Sequence, residues 1–422
     1  AGLAIFLDVV YNHMGPEGNY LAEFGPYFTD LYKTPWGSAV NFDGAGCDAV
    51  RDFVLDNVRM WLEEFHFDGL RLDAVHAIFD CGAHHILRAV EETAEESSRR
   101  SERTVHIIAE SDLNDPRLLY SSQQGGHGLS AQWSDDFHHA LHAALTGERR
   151  GYYQDFGERS QMARVLTQPF LYAWDYSPHR DRKHGAPPHG LSGDRFVVCL
   201  QNHDQVGNRA RGDRLTALLG NPAKQRLASS LLLLSPYLPL LFMGEEYGED
   251  NPFPFFCSFG DPQLIEAVRK GRKAEFAELV GQDTVPDPQA EETFASARLS
   301  WTWPAGSPRA GLRRLHQDLL TARREWPALR DFEHRGARLL PDAESGPVLE
   351  LLRGESGGSD ALRALFNLSD RAQPLPNGRE GQQVLFCSEL ACYGGSRADA
   401  RSLDQLLPAE CVVFGNLRAR QV

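Results

Sequence analysis

The sequence predicts an α/β protein: a TIM (β/α)8 barrel lacking its first two βα units, followed by a small antiparallel β-sandwich domain. Three observations predict it. Short apolar runs alternate with longer stretches whose apolar residues recur at helical spacing, the pattern of βα units around a parallel sheet. Six strand-like runs precede residue 330, whereas a closed barrel needs eight. After Trp326-Pro327 long helices give way to short apolar segments separated by Gly, Pro, Ser and Asp. The expected domains are 1–330, a partial barrel with a long loop at 14–46, and 331–422, an antiparallel β domain. Because the chain begins without Met, inside a strand-like run, the two missing units are expected upstream of Ala1.

Leu3–Val10 (LAIFLDVV) reads as a strand buried on both faces, being nearly all apolar. The loop 14–46, rich in Gly, Pro and aromatics, follows it. In Asp48–Phe65, Val50, Phe53, Val54, Val58, Trp61, Leu62 and Phe65 fall at helical spacing, with Asp48 placed to cap the helix. The unit repeats with strand Gly69–Ala74, helix Gly82–Ser97, strand Val105–Ala109 and a weaker strand, Leu129–Trp133. Helices at Asp135–Leu145 and Ser160–Leu166 precede strand Phe196–Leu200, helix Pro222–Leu234 and strand Leu238–Met243. A polar excursion from Glu245 to Ser307 leads to helix Gly311–Glu325.

A formal net charge of −15 opposes nucleic-acid binding, which calls for a basic face. No apolar run reaches the ~18 residues of a membrane span; the longest candidate, Leu231–Gly244, is broken by Pro236 and Pro239. Seven scattered cysteines include no CxxC and no zinc-site spacing, and Cys199, within an apolar run, reads as a packed thiol. With no signal peptide to read, a cytoplasmic compartment is expected.

In a parallel barrel, sites form at the C-terminal ends of the strands. There the sequence repeatedly places acids with partners: Asp8, Asn12 and His13; Arg71 and Asp73; Glu110; then Asn202, His203 and Asp204. One such acid alone is more often a cap or a loop ligand. Four strand ends in one phase are hard to assign to capping. Arg71, inside a strand, calls for a carboxylate partner. Paired carboxyls are what glycoside hydrolysis needs, one to protonate the leaving oxygen and one to attack or to activate water.

DVVYNH (Asp8–His13), GLRLDAVH (Gly69–His76), IIAESD (Ile107–Asp112) and LQNHDQ (Leu200–Gln205), in that order, resemble the signature regions of the α-amylase superfamily of retaining glycoside hydrolases. The resemblance implies Asp73 as nucleophile, Glu110 as general acid/base and Asp204 as stabiliser of the oxocarbenium-like transition state. It implies Arg71 beside Asp73 as counter-charge, His13 and His203 on the sugar at the cleaved residue, and Asp8 and Asn12 fixing their loop. Asp73 and Glu110 are then expected ~5–5.5 Å apart, with the Glu110 pKa raised. His76 and Ala77 stand where starch-cleaving members have Lys-His. That departs from an ordinary amylase leaving-group subsite and from a calcium site built on the second His.

Further segments are similar to one branch, the maltooligosyltrehalose trehalohydrolases: HMGPEGNYL (His13–Leu21), TPWGSAVNFDG (Thr34–Gly44), LRLDAVHAI (Leu70–Ile78), QWSDDFHHALHAALTGERRGYY (Gln132–Tyr153), FVVCLQNHDQVGNRARGDRL (Phe196–Leu215) and LPLLFMGEEYGEDNPFPFF (Leu238–Phe256). These enzymes cleave the α-1,4 bond next to a terminal trehalose and release trehalose. The resemblance implies maltooligosyltrehalose and related α-1,4-glucans as partners. A monomer with no nucleic acid, membrane, cofactor or metal is expected. Trp36, Tyr152, Tyr153, Phe253, Phe255 and Phe256 are candidates for stacking on sugar faces, and His76 and Glu245 for binding the substrate; a solvated Glu245–Glu246 pair is an equal alternative. His138, His139 and His142 lack the acidic partner motif of a metal site and read as a packed or sugar-facing row. A branching, debranching or amylase activity, a non-catalytic sugar binder and an inactive fragment are the alternatives.

Overall fold

The computed structural model describes residues 2–277, 285–340, 347–377, 381–400 and 403–416. They form two compact units, Ala1–Asp135 with Tyr172–Val197, and Asp136–Leu171 with Val198–Val422.

The first unit carries β1 (Phe6–Val9), a hairpin of β2 (Phe28–Thr34) and β3 (Gly37–Val40), then β4 (Gly69–Leu72), β5 (His106–Ala109) and β6 (Ala131–Trp133). A second hairpin, β7 (Asp175–Ser177) and β8 (Arg182–His184), precedes β9 (Phe196–Cys199). Strands β1, β4, β5 and β6 run parallel in that order, in registers such as Asp8↔Arg71 and Arg71↔Ile108, and Trp133↔Val197 joins β6 to the start of β9. All of β4 is buried between its neighbours. Its first residue must be glycine, since a Cβ on Gly69 would lie 2.4 Å from the His106 carbonyl oxygen.

Three expectations are corrected here. The first strand is not buried on both faces: Leu3, Ile5, Phe6 and Val10 are exposed, because β1 is the edge of the sheet with β4 on one side only. Loop 14–46 is not irregular throughout, as it holds helix Leu21–Phe24 and the β2–β3 hairpin, which turns at Pro35 and Trp36 and opens β3 with Gly37 at φ 119°. Asp48 does not cap its helix. The helix spans Cys47–Arg59 and starts from Gly46 at φ 75°, leaving Asp48 in the first turn, where its charge suits the helix dipole. A single π-type turn, Met60–Glu64, continues it.

The second unit takes up the end of β9, with β10 (Leu238–Leu240) beside it. Helices Pro222–Leu234 and Pro308–Glu325 pack on one another. Toward the C-terminus come β11 (Arg335–Leu339), β12 (Val348–Arg353), β13 (Leu362–Asn367), β14 (Gln373–Pro374), β15 (Gln383–Cys387), β16 (Gln405–Leu406) and β17 (Cys411–Gly415). They form an antiparallel sheet in the order β11-β12-β13-β17-β15, and β14 pairs separately with β16. Val348, Leu365, Cys387, Leu406, Val412 and Phe414 pack in its core. Cys199 is buried, as a packed thiol should be.

Helix Pro222–Leu234 is buried from Arg226 to Leu234, so its last carbonyls are shut off from water and need protein donors. Arg353 of β12 gives Nη1 to the carbonyls of Leu234 and Ser235, both at 2.7 Å. Arg323 donates to Leu233 at 2.8 Å and to Tyr237 at 2.6 Å. Arg226 forms a buried ion pair with Glu389. Of the polar excursion 245–307, residues 278–284 lie outside the described residues. No described helix is long and apolar enough to cross a membrane.

Candidate active site

Side chains two apart on a strand share a face, and in-register residues of neighbouring parallel strands do too. Arg71 and Asp73 follow this rule along β4 and its extension, and Glu110 continues the face of Ile108 beyond β5. Asp8 joins them from β1 through its register with Arg71.

Arg71, 5% exposed, organises the group. Its Nη1 donates to Asp73 Oδ1 at 2.7 Å and to Asp8 Oδ1 at 2.8 Å, its Nη2 lies 3.6 Å from Glu110 Oε2, and its guanidinium stands 4.4 Å over the Trp133 ring. Burial works against its charge, but Asp8, Glu110 and Asp73 outweigh it and raise the Arg71 pKa. Asp8 is therefore a counter-ion of Arg71 rather than only a loop residue.

Asn12 is buried and fixes Asp73, donating Nδ2 to the Asp73 carbonyl at 2.7 Å and to Oδ2 at 3.1 Å. Its side-chain oxygen hydrogen-bonds His13 Nδ1. The His13 ring stacks on Trp36 with centroids 4.2 Å apart, and burial lowers its pKa against the opposing charge of Asp73. Asp73 thus faces Arg71 through one oxygen and Asn12 through the other.

Glu110 is set differently. Its Oε2 accepts from the Ala74 N–H at 2.6 Å. Burial raises its pKa and Asp73 adds to the rise, while Arg71, the Ala74 N–H and His76 pull the other way. His76 Nδ1 lies 3.9 Å from Asp112 Oδ1. Within the first unit, the structure therefore brings together His13, Trp36, Arg71, Asp73, His76 and Glu110.

In the second unit, Asp204 and His203 open a short helix, His203–Gly207, whose N-cap Asn202 accepts from the Gln205 N–H at 2.9 Å. His203 Nε2 lies 3.7 Å from Asp204 Oδ2, and both side chains are exposed enough to meet a ligand. Next to them opens a cleft of about 780 Å³ lined by Glu148, Tyr152, Tyr153, Gln205, Arg209 and Phe276 among others.

Two residues expected to meet sugar are largely buried. Glu245 is 6% exposed, and burial pushes its carboxyl up to about 8 despite the Gln201 side chain and the Phe242 backbone. Tyr153 is 4% exposed, and its hydroxyl meets His138 Nε2 at 2.7 Å. The histidine row is packed: His138 Nδ1 meets the Leu200 carbonyl at 2.6 Å, His142 stacks on Tyr153 at 4.3 Å, and His139 lies 4.6 Å from the Tyr152 ring. His142 also meets Glu148 at 2.8 Å, which Arg209 holds at 2.9 Å.

The sequence reading passed over Trp133, Ala74 and the Glu148–Arg209 pair. A Trp ending the strand after the Glu110 strand was a usable signal for the first. Ala74 and Arg209 carried none.

The parallel sheet with helices, the antiparallel C-terminal sheet and acids at successive strand ends define the α-amylase class of fold. A crystal structure from Salmonella typhimurium, provisionally named an alpha amylase, superposes with a TM-score of 0.82 at 36% identity, over 98% of this chain and 68% of its own. The chain is 47% identical over 420 residues to a malto-oligosyltrehalose trehalohydrolase of Arthrobacter ramosus, covering 98% of this chain and 68% of the relative. It is 51% identical over 300 residues to that of Saccharolobus solfataricus, covering 71% and 51%. The chain belongs to the malto-oligosyltrehalose trehalohydrolase family. It spans only 51% and 64% of the lengths of the Saccharolobus solfataricus and Rhizobium relatives. No family model matches it.

Proposed function

We propose that this chain carries the hydrolytic site of an enzyme that cleaves the α-1,4-glucosidic bond next to the terminal trehalose of maltooligosyltrehalose, releasing trehalose with retention. The observation that carries this reading is the asymmetry around Arg71: Asp73 is ion-paired at 2.7 Å, while Glu110 sits beyond hydrogen-bonding distance at 3.6 Å with a raised pKa. One carboxyl has the cation bonded to its oxygen and the other, with its pKa raised by burial, can keep its proton, the division of labour that double displacement requires.

In the first step Asp73 attacks the anomeric carbon as Glu110 protonates the departing glycosidic oxygen, giving free trehalose and a glycosyl ester on Asp73. In the second, Glu110, now a carboxylate, takes a proton from water, whose oxygen attacks the same carbon and frees Asp73. Asp204 steadies the positive charge in both transition states. His13 and His203 bind the reacting sugar, Arg71 and His76 hold the carboxyl groups in place, and Trp36 and Tyr152 offer sugar-facing rings. We read the six parallel strands as part of a (β/α)8 barrel, and residues 331–422 as a β-sandwich domain acting with it in a cytoplasmic monomer.

The test is a product assay. Free trehalose from maltooligosyltrehalose supports the reading, and glucose or maltose from starch alone sinks it. Asp73→Asn should reduce turnover by at least ~10³-fold; unchanged turnover would remove Asp73 from the mechanism.

A further inference from the structure

The β7–β8 hairpin has no part in the roles above, yet it holds two large aromatic rings in water. Trp174 is 64% exposed and Tyr176 is 56% exposed. Trp174 also sits at φ 81°, a region that bulky L-residues enter only where their surroundings force it. A glycine would take that angle without strain and a polar side chain would be better solvated. Neither folding nor solubility explains a tryptophan there.

The rings share one side of the hairpin. Tyr176 pairs with Lys183 across the ladder, which puts their side chains on the same face. Lys183 Nζ lies 5.9 Å from the centre of the Trp174 ring. The Tyr176 hydroxyl is held by Asp181, and the Trp174 backbone N–H donates to the His184 carbonyl at 2.7 Å.

The hairpin is also fastened to the strand end that carries Glu110. Asp112, two residues on, accepts from Arg180 through its side chain at 3.0 Å and from His184 Nε2 through its carbonyl at 2.9 Å. Asn114 donates Nδ2–H to the Tyr172 carbonyl at 3.2 Å, and its own carbonyl accepts from the Ala186 N–H at 3.0 Å. At Gly185 the two arms come so close that a Cβ would lie 1.9 Å from the Tyr172 oxygen.

We propose that Trp174 and Tyr176 form a stacking platform for glucose units of an α-1,4-glucan, continuous with the Glu110 side of the candidate site, with Lys183 donating to sugar hydroxyls. The proposal rests on the glycosidase reading of that site. Its physical basis is general: a neutral sugar has an apolar C–H face and a polar rim, which suits exposed rings beside a hydrogen-bond donor.

Maltoheptaose binding, measured by calorimetry in an Asp73→Asn background to prevent turnover, tests it. Trp174→Gly removes the ring and the strain together, and Tyr176→Ala removes the second ring. Each is expected to weaken binding roughly tenfold, with the melting temperature of Trp174→Gly held by strain relief. Unchanged affinity in both variants overturns the platform, as does absence of binding by the parent. A lower melting temperature in Trp174→Gly also overturns it, because the ring would then serve packing. Trehalose release by the enzyme with Asp73 intact is assayed separately. If it persists while the platform fails, the reading of the site stands; if maltoheptaose binding needs Trp174 but no trehalose forms, the platform serves another glucan.

Discussion

The N–H of Ala74 donates to Glu110 Oε2 at 2.6 Å, and it does so from a left-handed conformation, φ 40° and ψ 51°. The residue after Asp73 is twisted so that its amide turns toward the neighbouring acid.

For a residue with a Cβ this conformation costs roughly 1–2 kcal/mol. Ala74 is buried, and a β-branched side chain would add to the strain. Ala74→Val is expected to lose about 1–3 kcal/mol of stability, whereas Ala74→Gly should be neutral or slightly stabilising. Thermal unfolding of both beside the parent checks this, and equal melting points for the two variants would show that the turn is unstrained.

Burial raises the carboxyls of Glu91 and Glu245 from 4.5 to about 8, with the charge of Glu95 adding to the rise at Glu91. Between those pH values the native state keeps a proton that the unfolded chain has released. Stability should therefore fall as pH rises through this window, by up to ~1.4 kcal/mol per pH unit for each group. Glu91→Gln and Glu245→Gln, which cannot ionise, are each expected to gain on the order of 4 kcal/mol over the parent at pH 8 and nothing near pH 4. Denaturant unfolding at the two pH values measures the difference; a gain that is the same at both would refute the assignment.

A carbonyl only accepts, so the contact with Leu200 puts the His138 proton on Nδ1, and Nε2 accepts from the Tyr153 hydroxyl. Burial, reinforced by His142 and His139, holds the His138 pKa well below its ordinary value, and the ring stays neutral. Tyr153→Phe leaves Nε2 buried without a donor. A loss of about 1–3 kcal/mol is expected in urea unfolding, and pairing it with His138→Phe should recover part of that loss.

Arg71 and Asp8 should differ sharply although they are paired. Arg71→Met leaves Asp73 and Glu110, 24% and 14% exposed, facing one another without a cation, at a cost of about 3–5 kcal/mol. Asp8 is 52% exposed, so Asp8→Asn should cost less than about 1 kcal/mol. Chemical denaturation of the two variants tests the contrast, and similar losses would contradict it.

The buried parallel strands were legible because β4, flanked on both sides, must be apolar except where a charge is answered. Arg71 was visible for that reason, and Asp73 and Glu110 because they end such strands. What escaped notice depends on geometry that spacing does not encode. The exposure of β1 follows from its place at the sheet edge, not from its composition. Asp48 looked like a cap, but the chain enters that helix through Gly46. Glu245 follows a strand much as Glu110 does, and only packing separates a withdrawn acid from a presented one. Arg180 reaches Asp112 across 68 residues of sequence, a distance over which local patterns carry no information.

Arg353 has a consequence for where the chain can be divided. Its contacts with Leu234 and Ser235 mean that a helix finished by residue 234 obtains part of its terminal hydrogen bonding, including the donor to its last carbonyl, from a strand more than a hundred residues later. A protein cut near 330 would keep every acid of the proposed mechanism, and Arg323 on the Leu233 carbonyl, but lose the donor to the Leu234 carbonyl. The C-terminal sheet is therefore built into the scaffold of the second unit, and truncation there would yield a polypeptide that unfolds from the end of Pro222–Leu234 rather than a smaller working enzyme.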